Sequence, residues 1–341
     1  MGAPLPIKDW IRLKTIGNGS YGDVSLARSL EDGRLFAVKS ATCNNEEFLE
    51  SLEREILVLK NLDSPFIVRY LGQCNDEEGR LNIFMEYMDG GDLSALSMRC
   101  KGLPEMAIKA YTTSILRGLQ YLHGNGIIHC DIKAKNVLLG FLGDVKLADF
   151  GAAKRVSSEL HDIHAGTLGW MAPEIFRRRE QGIPSDIWSL GCTVVEMATG
   201  KVPELSPEKL KLTGISDCGL DFLEKCFIRE PTERWTASQL LHHPFLAYVH
   251  SNETLFSPST VLDNLSTPRR IEWTETLTSC RGFDKNQTNI TLTSCSDFDE
   301  EQTINTLKSH RASQAMLRIK TPTSCRGFDQ ERWETKDWLT L

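Results

Sequence analysis

The sequence predicts an α+β fold of two lobes, a small five-stranded antiparallel N-terminal lobe with one main helix and a mainly helical C-terminal lobe, followed by a disordered tail. Three observations predict it. Strand-like runs fill about the first ninety residues, helical patterns follow from Leu93, and Thr, Ser, Asn, Asp and Glu dominate after residue 246. The resulting boundaries are an N-terminal extension at 1–9, a domain at 10–246 that divides after residue 88, and a low-order tail at 247–341.

The N-terminal lobe is predicted from alternating apolar residues. A strand buries every second side chain, whereas a helix repeats its apolar positions every three or four residues. One helical stretch, FLESLEREILVLKNL at 48–62, lies between the third and fourth strand-like runs. The five runs are WIRLKTI at 10–16, DVSLARS at 23–29, LFAVKSA at 35–41, FIVRYLG at 66–72 and LNIFMEY at 81–87.

The C-terminal lobe is predicted from long helical patterns. The clearest are AIKAYTTSILRGLQYLHGNG, at 107–126, and SDIWSLGCTVVEMATG, at 185–200. Each stretch ends at a glycine, which often terminates a helix because it adopts the left-handed conformation without strain. We therefore expect this lobe to be mainly helical.

Bulk composition excludes several classes of function. A net charge of −7 argues against a surface that wraps nucleic acid. No stretch of about 18 apolar residues occurs, so no membrane span is expected. The ten cysteines include no C-x-x-C pair, which predicts reduced thiols in a cytoplasmic protein, with the nucleus as the alternative location.

The tail carries a short motif that recurs every 15 residues. Repeated motifs on one flexible chain could recruit a partner through several weak contacts, or they could record a recent duplication in an unconstrained segment. Both interpretations stay open. Trp273, Trp333 and Trp338 are large apolar groups that could anchor a partner, fold back on the domain or simply belong to an unstructured segment. The copies are TLTSCRGFD from Thr276, TLTSCSDFD from Thr291, TLKSHRASQ from Thr306 and TPTSCRGFD from Thr321.

Three glycines, Gly17, Gly19 and Gly22, form a G-x-G-x-x-G pattern between the first two strand-like runs. A dinucleotide-binding fingerprint needs this pattern between a strand and a helix, whereas glycines in a hairpin let the backbone approach nucleotide phosphates. The position between two strands therefore predicts a phosphate-covering hairpin, and an ordinary glycine-rich turn is the alternative.

Lys39 lies on the third strand-like run, downstream of the glycines. A buried lysine there could hold the α- and β-phosphates of a nucleotide if a carboxylate fixed its position, whereas most strand lysines are simply solvated. The helix that follows offers Glu50, Glu53 and Glu55. Because Glu55 lies beside the apolar face of that helix, we predict that it pairs with Lys39 and that Glu50 and Glu53 lie at the surface.

The most specific pattern lies in IHCDIKAKN, at 128–136, and KLADFG, at 146–151. Phosphoryl transfer needs a carboxylate beside the attacking hydroxyl, oxygen ligands for magnesium and positive charge at the transferring group. We predict that Asp131 orients and deprotonates the hydroxyl and that Lys133 meets the γ-phosphate. Asn136 and Asp149 are predicted to bind magnesium.

These motifs together resemble those of a eukaryotic protein kinase, from Trp10 to Leu246. The resemblance extends through TLGWMAPE at 167–174 and DIWSLG at 186–191 to Arg234, which in the family pairs with the glutamate of the A-P-E motif. It implies the bilobal protein kinase fold, with ATP and Mg²⁺ as cofactors.

The resemblance also implies roles for further residues, which are carried over only where the sequence matches the family. An apolar stack of Leu59, Tyr70, His129 and Phe150 would join the lobes, and Met85 would be the gatekeeper beside the nucleotide. The backbone from Glu86 to Met88 would meet adenine, and Asp92 could meet the ribose. The remaining nucleotide-binding residues that the resemblance implies are Ile16, Val24 and Ala37, together with Gly17, Gly19, Gly22 and Lys39.

The substrate class follows from Lys133 and Thr167. In serine/threonine kinases a lysine two residues after the catalytic aspartate and a threonine before the A-P-E motif brace the catalytic loop, and both match here. The segments LEREILVLKNLDSPFIVRYLG, IFMEYMDGGDL and GTLGWMAPE resemble the mitogen-activated protein kinase kinase kinase group, particularly its plant members. The resemblance therefore implies a mitogen-activated protein kinase kinase as the protein substrate.

Two other functions stay open at this point. The chain could be a catalytically weak or silent scaffold of the same fold that presents its tail to a partner, or a phosphotransferase for small molecules. The complete set of Lys39, Glu55, Asp131, Asn136 and Asp149 argues against the silent scaffold. The A-P-E segment, which shapes a groove for a peptide, argues against a small-molecule enzyme.

Two features depart from the family pattern. Cys130 replaces the arginine that usually precedes the catalytic aspartate, which removes the cation that would clasp a phosphate on the activation segment. Activity is therefore expected not to require phosphorylation of Ser157, Ser158 or another hydroxyl of that segment. The segment after Gly200, KVPELSPEKLKLTGISDCGLDFLEKC, is shorter than is usual in the family, so substrate-docking helix material is expected to be missing.

Overall fold

The computed structural model describes most of the region from residue 7 to residue 266. The tail repeats, the three tail tryptophans, Ser157 and Ser158 lie outside the described residues, as do residues 204–211 and 213 of the shortened segment. The described residues are 7, 9–19, 22–41, 46–77, 79–156, 166–177, 181–203, 212, 214–247 and 257–266.

The N-terminal lobe is one antiparallel sheet with one helix, α1 (Glu46–Leu59), which confirms the predicted fold class. The strands are β1 (Trp10–Gly19), β2 (Gly22–Ser29), β3 (Leu35–Ala41), β4 (Tyr70–Asn75) and β5 (Leu81–Glu86). Their order in the sheet is β1-β2-β3-β5-β4. Leu52, Ile56 and Leu59 of α1 are buried in the same apolar core as Ile83 of β5, because these residues form one stripe of the helix.

The C-terminal lobe is mainly helical, as predicted. Its central helix is α5 (Ile183–Thr199), in which every residue from Ser185 to Met197 is buried, as is typical of a helix that neighbours surround on all sides. That helix ends at Gly200, whose φ of 65° lies in the left-handed region that glycine adopts most readily. The helices are α2 (Leu93–Arg99), α3 (Glu105–Gly124), α4 (Pro173–Arg177), α5 (Ile183–Thr199), α6 (Asp217–Cys226) and α7 (Ala237–Leu241).

Two small strand pairs lie at the interface of the lobes and carry the loops of the site. The strand β6 (Ile127–Ile128) pairs with β9 (Lys154–Arg155), and β7 (Val137–Leu139) pairs with β8 (Val145–Leu147). Both pairs are antiparallel. They place the segment after β6 and the segment after β8 side by side, and these segments hold the predicted catalytic and magnesium-binding residues.

The fourth strand begins later than predicted. The run FIVRYLG predicts a strand from residue 66, but β4 begins at Tyr70. The earlier residues pair with β8 instead, because the Leu147 N–H donates to the Phe66 carbonyl at 2.9 Å and the Val68 N–H donates to the Leu147 carbonyl at 3.0 Å. Apolar periodicity predicts burial but does not show which backbone a run pairs with.

Part of the predicted low-order tail is a helix, α8 (Pro258–Ser266). Its start is capped by Ser257, whose hydroxyl accepts from the Thr260 N–H at 3.3 Å, and proline is well tolerated at a first helical position. Val261 is 3% exposed and belongs to the main apolar core, and Ser257 and Pro258 are buried as well, so this stretch of polar composition packs against the core. Among the described helices, none is long and apolar enough to cross a membrane.

Candidate active site

A group of three charges, of which Lys39 and Glu55 are buried and Asp149 is partly exposed, lies between the sheet and the C-terminal lobe. Lys39 Nζ on β3 donates to Glu55 Oε2 on α1 at 2.6 Å and to Asp149 Oδ1 at 2.7 Å. Lys39 and Glu55 are 3% and 1% exposed, whereas Glu50 and Glu53 lie on the exposed side of the helix. The structure therefore pairs Lys39 with Glu55, the glutamate that the sequence predicts as its partner, and this pair fixes α1 against the sheet.

Burial and ion pairing act in opposite directions on these charges. Burial would lower the pKa of Lys39, but the nearby charges of Asp149 and Glu55 outweigh burial and raise that pKa above its ordinary value. Burial also raises the pKa of Glu55, in spite of the Lys39 charge. For Asp149, the attraction of Lys39 outweighs burial and lowers the pKa. Lys39 is therefore positively charged and Asp149 ionised at neutral pH.

The backbone at Asp149 is held in a left-handed conformation with φ 63°, which is uncommon for residues other than glycine. The next side chain, Phe150, is fully buried, and its ring centroid lies 4.8 Å from that of His129. Leu59 is buried in the same apolar core, and Tyr70 packs against it. The contacts of Phe150 thus hold a backbone conformation that costs about 1–3 kcal/mol, and they direct the Asp149 carboxylate to Lys39.

Asp131 lies at the centre of the catalytic loop and accepts three side-chain hydrogen bonds. Lys133 Nζ and Asn136 Nδ2 donate to Oδ2 at 2.7 and 2.9 Å, and Thr167 Oγ1 donates to Oδ1 at 2.7 Å. Lys133 also donates to Thr167 Oγ1 at 2.7 Å. The structure thus brings together four residues that the sequence predicts to act in one site.

The loop that carries Asp131 is anchored by Asp186 at the start of α5. One oxygen of Asp186 accepts from the Cys130 N–H at 2.9 Å, and the other accepts from the His129 N–H at 2.9 Å and lies 2.9 Å from His123 Nε2. Cys130 has a left-handed φ of 67°, which these backbone hydrogen bonds help to hold. Burial raises the pKa of the Cys130 thiol well above its ordinary value, so the thiol is uncharged at neutral pH.

The glycine pattern lies in a hairpin between β1 and β2, as predicted from its position between two strands. Gly19 pairs with Gly22, and Gly17 pairs with Val24. A register shift between Thr15 and Gly17 leaves Ile16 unpaired at a bulge. The other implied nucleotide-binding residues share this sheet, because Val24 lies opposite Lys39 and Ala37 lies opposite Met85.

The connection between the lobes positions the residues implied for adenine and ribose. The Glu86 N–H already donates to the Arg69 carbonyl at 3.0 Å, so the carbonyl is the backbone group of Glu86 to consider for adenine. The Glu86 carboxylate accepts a hydrogen bond from Lys146 Nζ at 2.7 Å. Met88 is half-buried, and Asp92 caps α2 by accepting from the Ala95 N–H at 2.8 Å. Because that bond uses one carboxylate oxygen of Asp92, its other oxygen is the candidate for a ribose hydroxyl.

The donor set fits magnesium and the phosphates of a nucleotide. Magnesium prefers carboxylate and amide oxygens. Asn136 Nδ2 donates to Asp131 at 2.9 Å, which leaves the amide oxygen of Asn136 for a cation. Lys39 bonds one oxygen of Asp149, whose side chain is 25% exposed, so the second oxygen can reach a ligand.

This geometry agrees with a sequence comparison. The profile described as "protein kinase domain" matches residues 10–246, which is more than two thirds of the chain. The chain belongs to the protein kinase family. The match spans the glycine hairpin, the Lys39 pair, the Asp131 loop and the Arg234 side chain, which binds Glu174 through hydrogen bonds of 2.7 and 3.0 Å.

Curated relatives of this kinase share one description. Mitogen-activated protein kinase kinase kinase 18 of Arabidopsis thaliana is 42% identical over 70% of this chain and 77% of its own length. Mitogen-activated protein kinase kinase kinase 17 of the same plant is 38% identical over 74% of this chain and 73% of its own length. Mitogen-activated protein kinase kinase kinase 2, also from this plant, is 38% identical over 79% of this chain. The chain spans only 45% of the length of that third relative.

Sequence reasoning missed two carboxylates of this kinase. The sequence pattern contains Asp186 only as part of the DIWSLG motif, although this residue anchors the catalytic loop. Its position at the start of a long buried helix is the signal that could have indicated this role. Glu196 on the same helix was not singled out at all, although it is 2% exposed. A glutamate inside a run of apolar helix residues is itself a signal, because buried carboxylates need partners.

Proposed function

We propose that this chain transfers the γ-phosphoryl group of ATP to a serine or threonine hydroxyl of a protein substrate. The observation that carries the proposal is the set of hydrogen bonds, none longer than 2.9 Å, that joins Asp131 to Lys133, Asn136 and Thr167. These bonds hold a base, a magnesium ligand and the segment that faces the substrate as one unit.

In the proposed reaction, a bond forms between the substrate hydroxyl oxygen and the γ-phosphorus as the bond from that phosphorus to the β,γ-bridging oxygen breaks. Asp131 orients the hydroxyl and accepts its proton. Lys133 supplies positive charge beside the transferring group, and Lys39, held by Glu55, fixes the α- and β-phosphates. Asn136 and Asp149 would hold magnesium, which would neutralise charge on the phosphates.

A protein hydroxyl is the proposed acceptor because the segment from Thr167 to Glu174 is held as a fixed surface beside Asp131. Thr167 anchors one end of this segment to Asp131 and Lys133. The other end is fixed by the Glu174 pair with Arg234, whose side chains are 5% and 0% exposed. A segment anchored at both ends beside the base can receive the chain around an acceptor residue.

We further propose that the protein substrate is a mitogen-activated protein kinase kinase. The support is the shared description of the curated relatives as mitogen-activated protein kinase kinase kinases, two of which are matched over 77% and 73% of their length. A cytoplasmic location and a partner for the tail repeats stay predictions.

The proposal is tested by phosphate incorporation from labelled ATP with magnesium. The substrates are a generic basic protein and a catalytically inactive mitogen-activated protein kinase kinase. The variants are Asp131→Asn and, as a matched control at the surface, Asp144→Asn. We expect Asp131→Asn to reduce incorporation by about 10³-fold or more, as losses of central catalytic groups do, and Asp144→Asn to leave it unchanged.

Identification of the phosphorylated residue completes the test. Phosphoserine or phosphothreonine in the second-tier kinase supports both parts of the proposal. Incorporation into the basic protein alone contradicts the proposed substrate but retains the enzyme. A folded chain that binds ATP and transfers phosphate to neither protein nor to itself contradicts the enzyme and supports the silent scaffold.

A further inference from the structure

Glu196 is a buried carboxylate that the proposed reaction does not use. It lies on α5 and is 2% exposed, and no lysine or arginine among the described residues forms an ion pair with it. Its partners are three neutral donors. Ser94 Oγ donates to Oε1 at 2.7 Å, and the Ala134 N–H and Trp170 Nε1 donate to Oε2 at 3.1 and 3.2 Å.

Each donor belongs to a different part of the candidate active site. Ala134 directly follows Lys133 in the catalytic loop, and Trp170 lies three residues after Thr167. Lys133 and Thr167 are the two residues that bond to each other and to Asp131. Ser94 lies on α2, the helix capped by Asp92. One carboxylate therefore connects the catalytic loop, the substrate-facing segment and the helix beside the implied ribose site.

We propose that Glu196 is a positioning residue that sets the Lys133–Thr167 contact at Asp131 by holding Ala134 and Trp170 on a single oxygen. The inference rests on the proposed function and deepens it. Glu196 is not a catalytic residue, because Ala134, Trp170 and Ser94 surround its carboxylate and separate it from the reacting groups. It acts through the backbone next to Lys133 and through the side chain that follows Thr167.

An apolar side chain at position 196 could not hold Ala134 and Trp170 in place. A leucine would fill the space, but it would leave the buried Ala134 N–H and Trp170 Nε1 and the partly buried Ser94 hydroxyl without their acceptor. The loop and the segment would then move to find other acceptors. Displacements of about 1 Å can cost 10²-fold in rate, so the loss would appear in phosphoryl transfer as well as in stability.

A glutamine at position 196 separates the effect of the hydrogen bonds of Glu196 from the effect of its negative charge. With its amide oxygen toward Ala134 and Trp170, its amide nitrogen faces Ser94, whose hydroxyl can accept as well as donate. Glu196→Gln therefore keeps all three contacts without the charge. Glu196→Ala removes all of them. The matched control is Thr193→Ala, which removes a buried hydroxyl of the same helix whose one hydrogen bond within the described part of the chain goes to the Ser189 carbonyl.

The first measurement is amide hydrogen exchange of the intact chain, which needs no catalysis. In Glu196→Ala we expect the Ala134 amide and the peptide covering 167–172 to exchange about tenfold faster or more, because the Ala134 N–H loses its acceptor. In Glu196→Gln and in Thr193→Ala, the Ala134 amide and the peptide covering 167–172 should exchange as in the wild type. Because Glu196→Ala could fail to fold, Trp170→Phe and Ser94→Ala, which each remove one contact, are measured in parallel.

The second measurement is steady-state transfer to the protein substrate. We expect kcat to fall about 10²-fold in Glu196→Ala and less than about threefold in Glu196→Gln and Thr193→Ala. The loss of kcat in Trp170→Phe is expected to lie between these values. Rescue by glutamine is the outcome that a purely structural loss of stability would not give.

The exchange measurement tests the positioning role of Glu196 separately from the proposed kinase activity. Unchanged exchange at Ala134 in Glu196→Ala overturns the positioning role, and so does a Glu196→Gln variant that behaves like Glu196→Ala in either measurement. If Glu196→Ala does not fold, wild-type exchange and transfer in Trp170→Phe overturn the role. If the wild-type chain transfers no phosphate, the proposed function fails, and the exchange result alone supports or overturns the role.

Discussion

Lys146 and Glu86 form an ion pair across the two lobes, with Nζ 2.7 Å from Oε1. Lys146 lies on β8, three residues before Asp149, and Glu86 is the last residue of β5. The same Glu86 oxygen accepts from the Arg69 N–H at 2.7 Å. The pair therefore connects the backbone proposed to meet adenine with the strand that leads to a proposed magnesium ligand.

Removing this pair is predicted to weaken nucleotide binding. In Lys146→Met the apolar stem is kept and the charge is lost, so the Glu86 carboxylate keeps the Arg69 N–H contact but loses its ion pair, and the connection between the lobes loosens. We expect the Kd for ATP to rise about fivefold, which corresponds to about 1 kcal/mol, the usual contribution of one hydrogen-bonded contact. Calorimetric titration with ATP measures it. Lys60→Met, an exposed lysine of the same lobe, is the control, and equal affinities for both variants would contradict the role of the pair.

A second prediction concerns the choice among the glutamates of α1. Glu55→Gln removes the charge that holds Lys39, while the remaining Asp149 contact pulls Lys39 away from the phosphates. We expect kcat/KM for ATP to fall about 10²-fold, a common loss for one charged group that orients the reacting centre. Glu53→Gln, on the exposed side of the same helix, should leave it unchanged. Similar losses in both variants would indicate general damage to the helix.

The Lys39–Glu55 pair also shows what the sequence can predict. Helical periodicity places Glu55 beside the apolar stripe of α1 and Glu53 on the opposite side, so the correct partner follows from spacing alone. The same holds for Asp131, Lys133 and Asn136, which lie within one short loop. Local spacing determines these contacts because few backbone bonds separate the residues.

Contacts between distant segments were not predictable in this way. The run at 66–72 has a strand pattern, but its first residues pair with β8, and only the folded chain shows that partner. Glu196 meets Ala134 and Ser94, which are 62 and 102 positions away in the sequence. The helix α8 buries Val261 in the main apolar core, which composition averaged over a polar tail does not reveal.

A third prediction follows from Cys130. A thiol carries no positive charge in either protonation state, so Cys130 offers none to a phosphate on the activation segment, and burial raises its pKa so that it stays an uncharged thiol. The loop is fixed instead by the Asp186 contacts to the backbone of His129 and Cys130. We expect treatment with a phosphatase to change the rate of transfer by less than about twofold, because no charge-assisted contact from position 130 to a phosphate is lost. A strict requirement for phosphate, shown by inactivity after treatment and recovery on rephosphorylation, would contradict this prediction.

The last prediction is a pH dependence of stability caused by Glu196. Burial raises the pKa of Glu196 above its ordinary value of 4.5; hydrogen bonds from Ser94, Ala134 and Trp170 lower it in part, and the negative charge of Asp92 adds to the rise. Between 4.5 and the folded pKa, the folded state therefore binds more protons than the unfolded state. The Glu196 contribution to the free energy of unfolding is largest below this window and is lost as the pH rises through the folded pKa.

Glu196→Gln has no such titration. The free energy of unfolding of this variant minus that of the wild type should therefore increase as the pH rises from about 4.5 and become constant once Glu196 is ionised in both states. Urea denaturation at a series of pH values measures the difference, and other titrating groups cancel because both proteins contain them. The free energy of unfolding of Thr193→Ala should differ from that of the wild type by the same amount at every pH. A constant difference between Glu196→Gln and the wild type would mean that Glu196 ionises equally well in both states, and burial among three neutral donors would then not be the dominant influence on its charge.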